Sequence, residues 1–155
     1  MASQVLRTFP SLSRISSKTG AAASVLIHAG MTELKSFREL LVWQKAMDLA
    51  VRTYRTAQAL PRQEQGVLGY QLRKSAVSIP SNIAEGFSRH SRPAYIQHLW
   101  YAHGSGAELE TQIQIGQRVE LVSIETGDIL IADLEEIGRM LNGLVRSLER
   151  TALER

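Results

Sequence analysis

From Ser36 onward, apolar residues recur at alternating spacings of three and four, the period of a helix that buries one stripe. Four such runs follow one another. The first puts Leu40, Trp43, Met47, Ala50, Tyr54 and Ala57 on one seam, opened by Ser36 and Glu39 in the order of a capping box and ended by Leu60-Pro61. The second carries Leu68, Leu72, Ala76, Ile79, Ile83 and Phe87, shifts register near Pro80, and gives way at Gly86 and the polar run from Ser88 to Ser91. Ser91 and Pro93 suit the first turn of a third helix, with its seam at Tyr95, Leu99, Ala102, Gly106, Leu109, Ile113 and Gly116. Ser123 opens a fourth with Leu130, Leu134, Ile137, Leu141, Leu144 and Leu148. No segment sustains the alternation of a strand. Short connections between the four runs predict an all-α protein, an antiparallel up-and-down four-helix bundle over residues 33–155.

Pro80 modifies that plan. It has no N-H, and its ring crowds the carbonyl of Ala76, so helix two is expected to kink at Pro80. Ser78, Ser81 and Asn82 are short polar side chains placed to satisfy the freed backbone groups. Asn82 also lies beside the seam, where a buried amide would fix register at some cost in stability. Glu85 precedes Arg89 by four residues, the favourable order for a surface ion pair. Ser78, Pro80, Asn82, Glu85 and Gly86 therefore read as structural.

At 155 residues and 44% hydrophobic, the chain supports one core. Residues 1–32 stand apart, with three basic residues, no acid before Glu33, and much Ser and Ala. They are expected to be a disordered or mis-started N-terminal extension ahead of Met31; a basic, Ser-rich targeting segment is the other reading. The longest apolar runs, such as Ala21 to Ile27, are far below the roughly 20 residues of a membrane span. A cytoplasmic protein with no membrane partner is the expectation.

Candidate chemistry changes the picture little. Cysteine is absent, which removes disulfides, thiolate nucleophiles and thiolate metal sites. No histidine follows a glutamate by three residues, as a di-iron bundle requires, and His98 and His103 are five apart on different faces. His90 falls in a turn. His103-Gly104-Ser105-Gly106 is too deep in a helical period for an oxyanion loop, and its small residues, with Ala102 and Ala107, suggest close approach of a neighbouring helix. Glu85 has no titratable partner converging from nearby sequence. The expectation is a protein that is not an enzyme, with no catalytic residue, metal, cofactor or small-molecule substrate.

Charge placement is more informative. Residues 33–92 hold ten Lys/Arg and five Asp/Glu, while residues 93–155 hold five and ten. A basic half of this kind suits phosphate, an acidic partner, or the acidic half of another copy. Arg52, Arg55, Arg73, Lys74, Arg89 and Arg92 are the candidate nucleic-acid contacts, against the alternative of a solvated helix face. Aromatic interleaving is thin: Tyr54, Tyr70 and Phe87 are the neighbours, and at least two of them look like core.

The segment Glu39-Leu-Leu-Val-Trp-Gln-Lys-Ala46, Leu60-Pro61, Gln71-Leu-Arg-Lys-Ser-Ala76, and Ser78 to Gly86 (SIPSNIAEG) resembles the four-helix-bundle family encoded in intervening sequences of bacterial 23S rRNA genes. Gly104-Ser105, Glu108-Leu109-Glu110 and the last helix extend the likeness over about residues 36 to 150. Gly106 departs from it, standing where a larger apolar residue is expected. The resemblance implies a homopentamer without known enzymatic activity. A looser likeness, to the accessory variability protein of diversity-generating retroelements, implies binding to RNA or to a reverse-transcriptase-like protein. The expected function is thus a noncatalytic oligomer that binds RNA or a ribonucleoprotein; an adaptor that binds protein alone is the alternative.

Overall fold

Residues 34–153 are described by a computed structural model, and the expected extension at residues 1–32 lies outside them. Four long helices form: α1 (Leu41–Ala59), α2 (Leu68–Phe87), α3 (Arg92–Arg118) and α4 (Ile124–Leu153). A 3-10 turn, Phe37–Glu39, precedes α1, and one helical turn, Arg62–Gln65, lies between α1 and α2. No strand occurs among the described residues.

Contacts between the helices run in opposite order along the chain. On α2 and α3, Ser75 meets Gln112, Ser78 meets Ser105, and Asn82 meets His98. On α3 and α4, Gln117 bonds Asp128 while Leu134 lies across from Gly106 and Gly138 across from His103. Lys45 and Arg52 of α1 pair with Glu136 and Asp133 of α4 at 2.9 and 3.0 Å. Each helix is thereby packed on two neighbours in a four-helix bundle. Leu49, Leu72, Ile79, Ile83, Leu99, Leu109, Ile113, Leu130 and Leu141 form the fully buried centre. Each such side chain contributes about 1.5–3 kcal/mol on leaving water.

The expected seams of α3 and α4 are buried at every position except Gly106, which is partly open. The seam of α1 is rotated. Its buried residues are Val42, Ala46, Leu49, Ala50, Thr53 and Ala57, whereas Met47 and Tyr54 are exposed and Trp43 is half-buried. Thr53 is tolerated inside because its hydroxyl donates to the Leu49 carbonyl at 2.9 Å. Two adjacent stripes of α1 satisfy the same spacing, and the one with small side chains faces inward.

Helix ends differ in detail from expectation. Ser36 caps the 3-10 turn by accepting from Arg38 N-H, and α1 itself starts without a side-chain cap. Ser91 occupies the N-cap of α3 but makes no side-chain cap bond. Ser123 does cap α4, accepting from Thr126 N-H at 3.2 Å. At the end of α3, Leu121 N-H reaches the Gly116 carbonyl at 2.8 Å and Glu120 N-H the Gln117 carbonyl at 3.1 Å, the pairing of a Schellman motif. Its left-handed position is held by Glu120, with φ of 60°, rather than by glycine.

Helix two, where a kink is expected at Pro80, runs uninterrupted from Leu68 to Phe87. Ser81 Oγ donates to the Val77 carbonyl at 2.8 Å and Asn82 Nδ2 to the Ser78 carbonyl at 2.9 Å. These bonds reinforce the turn beside Pro80. Of the small residues of α3, Ala102 is buried and Ser105 meets Ser78 of α2 at 2.8 Å, but Gly104 and Gly106 adjoin no close neighbour. A Cβ on Gly104 would meet nothing within 4 Å, and one on Gly106 only Leu134 Cδ2 at 3.6 Å. A groove of about 330 Å³ opens there between α3 and α4, with His103, Glu110 and Arg139 on its walls.

Candidate nucleic-acid interface

The SIPSNIAEG segment forms the contact of α2 with α3. Asn82 Nδ2 donates to Ser78 Oγ at 3.0 Å, Ser78 Oγ and Ser105 Oγ are 2.8 Å apart, and Ser105 donates to the Tyr101 carbonyl at 3.0 Å. Each hydroxyl has one proton, so the chain is satisfied when Asn82 donates to Ser78, Ser78 to Ser105, and Ser105 to Tyr101. That commitment of the Asn82 amide leaves Oδ1 facing His98 Nδ1 at 3.4 Å. One layer along, Gln112 Nε2 donates to the buried Ser75 Oγ at 3.0 Å. At the other end, Gly86 lies against His98 and Tyr95, and the Tyr95 ring meets Phe87 edge-on at 6.1 Å. Burial pushes the Tyr95 hydroxyl above the ordinary tyrosine range. Pro80 is buried on a flank that faces α1 across a groove.

Glu85 is exposed and paired with Arg89, with His98 Nε2 at 3.7 Å from the same carboxylate oxygen. Among the described residues, no group of three or more His, Cys, Asp or Glu could hold a metal ion. No helix among them is long and apolar enough to cross a membrane.

The six candidate basic residues do not form one patch. Arg73 is half-buried, and its guanidinium donates to the Gln65 carbonyl at 2.7 Å, which ties α2 to the preceding turn. Arg52 is held by Asp133 and Arg89 by Glu85. Arg92 is half-buried at the start of α3. Arg55 on α1 and Lys74 on α2 are exposed, and neither takes part in an ion pair or hydrogen bond among the described residues. Lys74 lies thirteen residues, roughly 20 Å, from the end of α2 at Phe87, just beyond which Arg89 stands. The basic residues divide between two ends of the bundle.

Between α1 and α2 runs an apolar groove of about 640 Å³, lined by Trp43, Met47, Val51, Tyr54, Val77 and Pro80 and reaching Arg55 and Gln58 at one end. It exists because α1 turns its small side chains inward and its large ones out. Sequence reasoning missed it by taking Trp43, Met47 and Tyr54 for core. The signal available was Val42, Ala46, Leu49 and Thr53, a competing stripe of the same period.

The matched segment of a family model covers residues 38–143, which includes α1 to α3, the SIPSNIAEG segment and most of α4. The chain belongs to the 23S rRNA-intervening sequence protein family. The chain is also similar to a solved structure, a crystal structure of a protein with unknown function from the S23 ribosomal protein family of Bacteroides thetaiotaomicron VPI-5482. It is 27% identical, with a TM-score of 0.64, and the match covers 68% of this chain and 98% of that one. No curated protein matches the chain.

Proposed function

We propose that this family member is a noncatalytic, self-associating helical bundle that binds RNA or a ribonucleoprotein through the basic side of α1 and α2. One observation carries the reading: Arg55 and Lys74 are exposed cations without a partner among the described residues, on helices whose only acids are Asp48 and Glu85. Glu85 is already neutralised by Arg89. Unpaired guanidinium and ammonium groups are free to displace counterions from phosphate, a contact that does not depend on base sequence. Arg73, by contrast, would have to leave the Gln65 carbonyl to do so.

Fluorescence anisotropy with labelled RNA, titrated at several salt concentrations, tests this. Affinity should fall steeply with salt, and Arg55→Ala and Lys74→Ala should each reduce the slope of log K against log salt by about 0.7–0.9. Binding that is flat in salt would remove the mechanism. The apolar α1–α2 groove favours a second reading, an adaptor that meets protein and no nucleic acid. Purified protein free of bound RNA, retaining a protein partner through 1 M salt, would favour that alternative; about 1 M leaves a Debye length near 3 Å.

A further inference from the structure

We infer that the α1–α2 groove takes single-stranded RNA, with bases stacked on Tyr54 and Tyr70 and phosphates held at Arg55 and Lys74. The inference rests on the RNA-binding reading and specifies its substrate. Tyr54 is 41% exposed and Tyr70 53% exposed, so neither ring belongs to the core. Tyr54 and Arg55 line the groove from α1. Tyr70 and Lys74 continue the stripe of α2 that includes Val77 and Ser81, since residues 70, 74, 77 and 81 recur at helical spacing on one face. At the far end, Arg38 lies 4.6 Å over the Phe37 ring, and that ring meets Trp43 edge-on at 5.2 Å. Aromatic rings are therefore flanked by cations at both ends of an apolar floor.

This arrangement favours a single strand over a duplex. In A-form RNA the base faces are stacked inside the helix, and the protein is offered phosphates and hydroxyls, for which an apolar floor is a poor surface. An unpaired strand presents base faces to the rings and leaves its backbone for the cations at the rim. From Trp43 to Tyr54 the groove follows about 17 Å of α1, room for a site at the low end of about 4–16 nucleotides. The charge agrees: among the described residues no acid lines the groove, and Arg55 stands at its rim. An acidic helix could also answer Arg55 and Lys74, but it would not account for exposed tyrosines beside each unpaired cation.

The test compares a fluorescein-labelled 12-nucleotide oligouridylate with a 12-base-pair RNA duplex, using the full chain and its Tyr54→Ala, Tyr70→Ala, Tyr54→Phe and Tyr70→Phe variants. Each alanine variant should bind the single strand about 5- to 100-fold more weakly, while the phenylalanine variants stay within about twofold, because the ring and not the hydroxyl stacks. In a Trp100→Phe background Trp43 is the one remaining tryptophan, and its fluorescence should change on adding the oligonucleotide. If the strand binds and no tyrosine variant weakens it, the stacking inference falls and the RNA-binding reading stands. A duplex bound more tightly than the strand also overturns the stacking inference and leaves RNA binding in place. If neither RNA binds, both fall. Should Tyr54→Ala and Tyr70→Ala dissociate an oligomer of the parent chain, the groove is an interface between copies and the inference is overturned.

Discussion

Gly86 stands at a tight approach of α2 to α3. A Cβ there would lie 2.7 Å from His98 Cβ and 2.9 Å from Tyr95 Cδ2, closer than carbon atoms pack. Neither neighbour can yield easily, since Tyr95 is buried and wedged against Phe87. Gly86→Ala should therefore lower stability by about 1–3 kcal/mol, the usual cost of forcing atoms into a packed site, read as a lower urea midpoint with unchanged slope. Gly106 is the opposite case. Its added methyl would meet only Leu134 at an ordinary 3.6 Å. Gly106→Ala should raise stability by about 1 kcal/mol, through helix propensity and a less flexible unfolded chain. A drop in melting temperature would mean that the α3–α4 groove closes more tightly than this geometry allows.

At the scale of the helices, the α2–α3 contact is held together by polar groups as well as by its apolar core. Asn82 is its hinge pin, spending both amide protons on Ser78 and turning its oxygen to His98. Asn82→Ala should cost about 1–3 kcal/mol, since Ser78 and His98 lose a partner in a half-buried site. A double-mutant cycle with Ser78→Ala should return a coupling above about 0.5 kcal/mol; strict additivity would show that the two side chains act independently. The backbone bonding of the polar cluster was legible in its residue types, as Ser81 to the Val77 carbonyl and Asn82 to the Ser78 carbonyl show. Its contact across to α3 was not. Sequence spacing can say that Asn82 lies beside a seam, but not which helix stands across from it. The same limit hid the α1–α2 groove: on α1, Trp43, Met47 and Tyr54 and the smaller Val42, Ala46, Leu49 and Thr53 have nearly the same period. Period gives the helix, and only packing against α2 and α4 decides which stripe turns inward. In α4 no such competition exists, for its leucine-spaced seam is the one strongly apolar stripe, and every residue of it is buried.

For the whole molecule, the opposite charges of the two halves bear on how copies associate. A basic half and an acidic half suggest a ring closed by charge, copy against copy. Within one chain, however, Lys45 already meets Glu136 and Arg52 meets Asp133, so part of that complementarity is consumed in joining α1 to α4. These pairs are partly exposed and contribute at most about 1 kcal/mol each. What remains for association is largely apolar: Trp100 and Tyr101 on α3, and Ile115, Val119, Ile124 and Ile129 around the α3–α4 connection, are all exposed. Apolar contact is strengthened rather than screened by salt, whereas phosphate contact is lost in it. The oligomer should therefore keep its mass in light scattering from about 0.05 to about 1 M salt, spanning Debye lengths from above 10 to about 3 Å, while RNA is released over the same range. Dissociation in high salt would return the assembly to charge pairing between copies. A monomer at every salt concentration would leave these apolar residues without a role in self-association, and with them the proposal that the bundle assembles.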